Sequence, residues 1–98
     1  YDTDTQESKV VDTYGTVELL VLDDLGKEKV TAWAASMIFS IINARYERML
    51  PTIITTNHGC AELASALGDD RTRAEAIVSR IQETCVTIVM AWGDHRKG

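Results

Sequence analysis

A chain of 98 residues makes one small domain, or part of a larger one, and 45% apolar with 26% charged residues is the composition of a soluble globular protein. A formal net charge of −5 argues against the segment being a nucleic-acid surface by itself, although Arg71, Arg73 and Arg80 fall close together. No apolar run approaches the ~20 residues of a bilayer span and nothing resembles a signal peptide, so the isolated Cys60 and Cys85 read as reduced thiols of a cytoplasmic protein.

In chain order, residues 1–7, YDTDTQE, are polar, patternless and expected to be loose. The chain begins at Tyr rather than Met and reads as cut from something longer. SKVVDTYG offers a short helix, with Ser8 as N-cap and Gly15 just past its end. VELLVL, residues 17–22, is the first strand. Its unbroken apolar run, Leu19 to Leu22, is of the kind buried on both faces of a sheet. Two adjacent carboxylates, Asp23 and Asp24, follow. Neighbouring acids repel each other and are costly to bury alone. They serve either a divalent metal or a proton to be moved, or they merely shape a turn ahead of Gly26.

Thr31 is a good N-cap for the helix AWAASMIFSIINARYERML. Ser36, Ser40, Asn43 and Glu47 share one narrow polar stripe, and most of the remaining circumference is apolar, so this helix wants cover on more than one side. Pro51 ends it, and TIITT, residues 52–56, is a second, β-branched strand. CAELASAL is a short helix closed by Gly68. DDRTRAEAIVSRIQET is a full helix capped by Asp69 or Asp70, with Ala74, Ile77, Val78 and Ile81 as its core stripe. CVTIVM, residues 85–90, is the last strand, and AWGDHRKG is a polar tail.

Strands alternating with helices imply right-handed crossovers and a parallel sheet, the α/β class. In such sheets ligands bind outside the carboxyl ends of the strands. The first strand ends in Asp23 and Asp24, the second in Thr56 and Asn57. On adjacent parallel strands these residues share one edge of the sheet and face one crevice.

Four apolar residues followed by two acids have the form of a Walker B motif, in which the first acid holds Mg²⁺, usually through water, and the second polarises the water that attacks a γ-phosphate. TIITTN has the form of a sensor 1 strand ending in an Asn, whose amide both donates and accepts without titrating. AIVSRI places Arg80 on a helix, where an always-charged, rigid fork suits phosphate oxygens. LLVLDDLGKEK, IINARYE, PTIITTN and AIVSRI, in this order and spacing, resemble the DnaC-type helicase loaders, with the IstB-type transposition helpers close behind. The resemblance covers about residues 10–96. It implies the C-terminal portion of a single AAA+ ATPase domain, a partial P-loop NTPase core of three mainly parallel strands with flanking helices, with 93–98 as tail. In the intact protein it implies ATP and Mg²⁺ as cofactors, and the replicative helicase, single-stranded DNA and neighbouring ATPase subunits as partners. By the same resemblance Asp23 is the metal acid, Asp24 the acid acting on water, Asn57 sensor 1 and Arg80 a trans-acting arginine. Arg96 is a sensor-2-like contact, with His95 in place of the usual tyrosine.

The largest departure is that no G-x-x-x-x-G-K-[ST] occurs in these residues. The family's P-loop strand is expected upstream of Tyr1, between the sensor 1 strand and the last strand in the sheet, and the polypeptide as it stands is not expected to hydrolyse ATP. Other residues read as structural. Arg45 points into the apolar face of its helix as a snorkelling or salt-bridged arginine, Trp33 reads as packing, and Lys27 and Lys29 lie in a solvated loop. His58 and His95 are lone histidines without metal-ligand spacing. A phosphoacceptor receiver domain would need a third strand-end acid, which TIITTN and VTIVMAW lack. A nucleotide-free docking remnant of an AAA+ domain remains the third class.

Overall fold

The computed structural model describes residues 2–86 and 88. It is an α/β unit in the order α1 (Asp2–Thr16), β1 (Leu20–Leu22), α2 (Ala32–Arg48), β2 (Thr52–Ile54), α3 (Cys60–Ala66) and α4 (Arg71–Thr84). The two strands pair in parallel, with Leu20 opposite Thr52, Val21 opposite Ile53 and Leu22 opposite Ile54. The last strand expected over 85–90 lies largely outside the described residues, and the tail with His95 and Arg96 wholly so. Two strands are therefore described, where three are expected.

The two long core helices begin where the sequence marks them. The Thr31 hydroxyl accepts from the Ala34 amide at 3.1 Å and caps α2, and the Asp70 carboxylate accepts from the Arg73 amide at 3.1 Å and caps α4. Asp69, the other candidate cap, instead pairs with Lys29 at 3.0 Å on the surface. α2 stops at Arg48, with Met49 in the left-handed region, two residues short of Pro51. Leu25, Ile42, Leu63, Leu67, Ala74, Ile77 and Val78 form the buried core between α2, α3, α4 and the loop after β1, with Ile81 packed at its margin.

Three expectations change. The first concerns the N-terminal stretch, which is helical from Asp2 rather than loose to residue 7. Trp33 Nε1 donates to the Glu7 carboxylate at 3.0 Å, a tie to α2 that no local pattern shows. Gly15 lies inside the last turn of this helix, not beyond it. A Cβ there would come within 3.1 Å of the Ala44 Cβ, so glycine permits α1 to cross α2 closely.

The second concerns the strands: β1 covers Leu20–Leu22 rather than 17–22, β2 covers Thr52–Ile54 rather than 52–56, and β1 is not buried on both faces. Leu20 is buried, whereas Leu19, Val21 and its cross-strand neighbour Ile53 are each about half exposed among the described residues.

The third is Arg45. It neither snorkels nor makes a salt bridge among the described residues; it is 2% exposed. Its Nε donates to Thr52 Oγ1 at 2.8 Å. Its terminal nitrogens donate to the carbonyls of Tyr14 (2.9 Å), Val17 (2.7 Å), Pro51 (2.6 Å) and, more weakly, Glu18 (3.5 Å). Burial lowers its pKa from the ordinary arginine value, yet a guanidinium remains charged, and oxygen acceptors compensate it without a counter-ion. This also explains the short β1. The Val17 and Glu18 carbonyls are turned to Arg45, so the lead-in to the strand is held by a side chain rather than by the sheet.

Lysine cannot reproduce five directed donors. Arg45→Lys is expected to leave at least one buried carbonyl orphaned and to cost about 2–4 kcal/mol in urea unfolding, since each unsatisfied buried group costs roughly 1–3 kcal/mol. A wild-type unfolding midpoint for that variant would show the clamp to be dispensable.

Candidate functional site

The parallel register dictates what meets at the carboxyl ends of the strands. Because Leu22 lies opposite Ile54, the next residues, Asp23 and Thr55, fall side by side. The ladder continues past the strands, with the Thr55 amide donating to the Leu22 carbonyl at 3.0 Å and the Leu25 amide to the Thr55 carbonyl at 2.8 Å. Between these two bonds sits the Thr55 hydroxyl. It donates to Asp23 Oδ1 at 2.5 Å and accepts from the Asp24 amide at 2.7 Å. One side chain thus fixes the carboxylate of the first acid and the backbone of the second.

Asp24 adopts φ +56°, a left-handed conformation that Asp tolerates better than most residues. Its carbonyl accepts from the Lys27 amide at 3.1 Å, closing a turn that leaves both carboxylates exposed. The turn is latched from the β2 side. The Thr56 hydroxyl donates to the Leu25 carbonyl at 2.7 Å, and His58 Nε2–H donates to the Gly26 carbonyl at 2.8 Å. Gly26, at φ +81°, is required there, because a Cβ would lie 3.0 Å from the His58 ring and 3.1 Å from Leu63. Asp23, Asp24, Gly26, Lys27 and Glu28 line a shallow cleft beside Val30.

Asn57 follows Thr56 at the same end of the sheet as the aspartates and is exposed. Asp23, Asp24 and Asn57 are therefore grouped at one edge. Arg80 is elsewhere, on α4 against the C-terminal half of α2. Its Nε donates to Asn43 Oδ1 at 3.1 Å and its guanidinium lies 4.6 Å from the centre of the Tyr46 ring. Arg96 lies outside the described residues. The other arginines near Arg80 are internally engaged, Arg71 with Glu75 at 3.3 Å and Arg73 with Asp70 at 3.9 Å. Thr55 is the site residue that sequence reasoning overlooked; His58 reads there as a lone histidine and Gly26 only as part of a turn. Counting the parallel register one residue past each strand would have placed Thr55, rather than Thr56, against Asp23.

The donor set suits a hard cation. Two exposed carboxylates, one of which has a single oxygen committed to Thr55, are the provision that Mg²⁺ accepts when phosphates and waters complete its shell. No cluster of three or more His, Cys, Asp or Glu side chains occurs among the described residues, so the arrangement is not an all-protein metal cage.

A two-stranded parallel sheet with flanking helices, whose polar groups gather at the carboxyl ends of the strands, is consistent with a fragment of a P-loop NTPase fold. The sequence model of one family, described as IstB-like ATP binding protein, matches residues 2–97. The chain belongs to this IstB-like ATP-binding family, and its function is related to that of the AAA+ ATPases. No curated protein matches it closely. Among the described residues no helix is long and apolar enough to cross a membrane.

The left-handed backbone of Asp24 gives a test independent of nucleotide. Asp24→Asn is expected to leave the urea midpoint nearly unchanged. Asp24→Val should lower stability by about 1–2 kcal/mol, the cost of placing a residue with a crowded Cβ in that region. Equal midpoints for the two variants would show that this turn is not strained.

Proposed function

We propose that these residues form the Walker B and sensor 1 half of an ATP-hydrolysing site, with the phosphate-cradling loop supplied by polypeptide outside the 98 residues. The observation that carries the reading is the Thr55 bridge, which holds Asp23 and Asp24 in register beside the strand bearing Asn57. Asp23 would hold Mg²⁺, whose chemistry is to neutralise charge on the β- and γ-phosphates. Asp24 polarises the attacking water and Asn57 orients it by donating or accepting through its amide.

Arg80 acts on a neighbouring subunit's nucleotide in this proposal. α2 returns from the carboxyl to the amino ends of the strands, and Asn43 lies eleven residues after its first residue, about 16 Å along the axis. Arg80 is therefore held well away from the acids of its own chain, and self-association would bring it to another chain's site.

The intact protein, on this reading, is a cytoplasmic AAA+ helicase loader of replication initiation, working with the replicative helicase and single-stranded DNA. DDLGKEK supports the loader. The match to the IstB-like family favours the second reading, a transposition-helper ATPase. Mixing purified full-length protein with a replicative helicase or with a transposase, followed by sedimentation, separates the two. A co-sedimenting helicase complex is expected, and a complex with the transposase alone would replace the loader with the helper.

In the full-length protein Asp24→Asn is expected to reduce ATP turnover by roughly 10²–10⁴-fold while ATP binding survives. Wild-type turnover in that variant would remove Asp24 from the mechanism. Arg80→Ala should leave nucleotide affinity near wild type and reduce turnover by something like 10³–10⁵-fold, the worth of a trans-acting arginine. Co-assembled Arg80→Ala and Asp24→Asn subunits should recover activity above the sum of the two, because some interfaces then pair an intact acid with an intact arginine. No recovery in mixtures shown to co-assemble would place the action of Arg80 within its own subunit.

A further inference from the structure

α2 and α4 meet along two rungs that repeat at seven residues on each helix. Arg73 lies over the Phe39 ring at 5.8 Å and Arg80 over the Tyr46 ring at 4.6 Å. The rungs differ in what else they hold. Arg73 is paired with Asp70, so part of its charge is met within α4. Arg80 makes no ion pair among the described residues. Glu83, one turn further along α4, accepts instead from the Tyr46 hydroxyl at 2.6 Å. That bond is the main reason the Tyr46 phenol titrates above its ordinary value.

Each contact removes a different freedom from Arg80. The ring fixes the plane of the guanidinium, and the Asn43 carbonyl oxygen, accepting from Nε at 3.1 Å, fixes its rotation within that plane. The bond from Tyr46 to Glu83 ties the ring to the helix that carries the arginine. A guanidinium has five N–H donors, and the Nε–H is the one engaged by a hydrogen bond among the described residues. The two terminal amino groups form the face that grips an oxyanion with paired, charge-assisted bonds.

We propose that Asn43 and Tyr46 are positioning residues for Arg80, forming a cradle on α2 that presents its terminal amino groups to a phosphate oxyanion of the nucleotide on a neighbouring copy. The inference rests on the trans-acting reading of Arg80 and adds the residues that preorganise it. Preorganisation matters because a long side chain loses rotamer entropy when it is ordered, and a cradle removes that cost before the phosphate arrives. It also predicts which changes leave the helix pair intact yet spoil the site. An Asp at position 43 keeps the acceptor and the shape, but its charge competes with the phosphate for the guanidinium.

The test uses full-length protein with Mg²⁺ and ATP, reading kcat, KM and the urea midpoint. Asn43→Asp is expected to lower kcat about tenfold, with KM for ATP within about twofold and a midpoint no lower than wild type. Tyr46→Leu should lower kcat similarly, whereas Tyr46→Phe, which keeps the ring, should retain most of it. In an Arg80→Ala background neither Asn43→Asp nor Tyr46→Leu should cost anything further, because coupled residues are non-additive. If Arg80→Ala abolishes turnover while Asn43→Asp and Tyr46→Leu match wild type, the cradle is wrong and the trans-acting arginine stands. If the two variants reduce kcat equally with and without Arg80, their effect is on packing and the cradle is again wrong. If Arg80→Ala itself turns over at the wild-type rate, the underlying reading fails and the cradle with it.

Discussion

The fold depends on one buried cation. Arg45 gathers the Tyr14, Val17, Glu18 and Pro51 carbonyls and the Thr52 hydroxyl around a single guanidinium, so the end of α1 and the entries to both strands converge on α2. A two-stranded parallel sheet of three-residue strands has little stability of its own. Its register must be imposed from outside, and Arg45 does so at the amino ends, where the lead-ins are joined by one long bond, from the Leu20 amide to the Pro51 carbonyl at 3.4 Å. Burying a charge without a counter-ion is costly unless hydrogen bonds compensate it. Here four of the five acceptors are main-chain carbonyls that themselves need donors, so those bonds satisfy both partners.

Register imposed at one end of the strands decides which residues meet at the other. A slip of one residue would move Thr55 away from Asp23 and carry every strand side chain to the opposite face. The Thr55 hydroxyl has one proton, given to Asp23, and accepts the amide of Asp24. The two acids therefore leave the strand in different conformations, Asp23 held by its side chain and Asp24 by a left-handed backbone. Adjacent carboxylates in a regular strand would point to opposite faces. The turn, pinned by Gly26 and His58, instead presents both at the sheet edge.

Much of this was legible in the sequence, and the remainder was not for identifiable reasons. Thr31, Asp70 and the stripe of Ala74, Ile77 and Val78 carry local signals, and the structure follows them. The parallel pairing followed from alternation of strands and helices. Strand lengths did not, because Arg45 withdraws the Val17 and Glu18 carbonyls from pairing, and its acceptors come from segments far apart in the chain. The helical conformation of residues 2–7 was hidden because its tie to α2, Glu7 to Trp33, spans 26 residues. LLVL reads as a strand covered on two faces, yet Leu19, Val21 and Ile53 are half exposed. An apolar pattern reports what a strand is suited to touch, whereas exposure reports what touches it among the described residues. The paired acids and Asn57 stood out by residue type, while Thr55 looked like one more β-branched residue of the strand until the register gave it a partner.

α2 connects these levels. Its first turn adjoins the loop carrying the aspartates, Arg45 near its end sets the strand register, and between them Asn43, with Tyr46 just beyond, holds Arg80. A helix of this kind is a rigid spacer whose length is fixed by its residue count. Any change that shortened it, or rotated one end against the other, would disturb the sheet register, the acid turn and the seat of Arg80 together. The polar stripe is interpretable in these terms. Asn43 belongs to it by position, but its amide faces α4 and is occupied by the arginine, so it serves the helix pair rather than solvent. A sequence pattern that reads as a solvated face thus contains the residue that fixes Arg80, at the opposite end of α2 from the acids and bound by the same helix that aligns them.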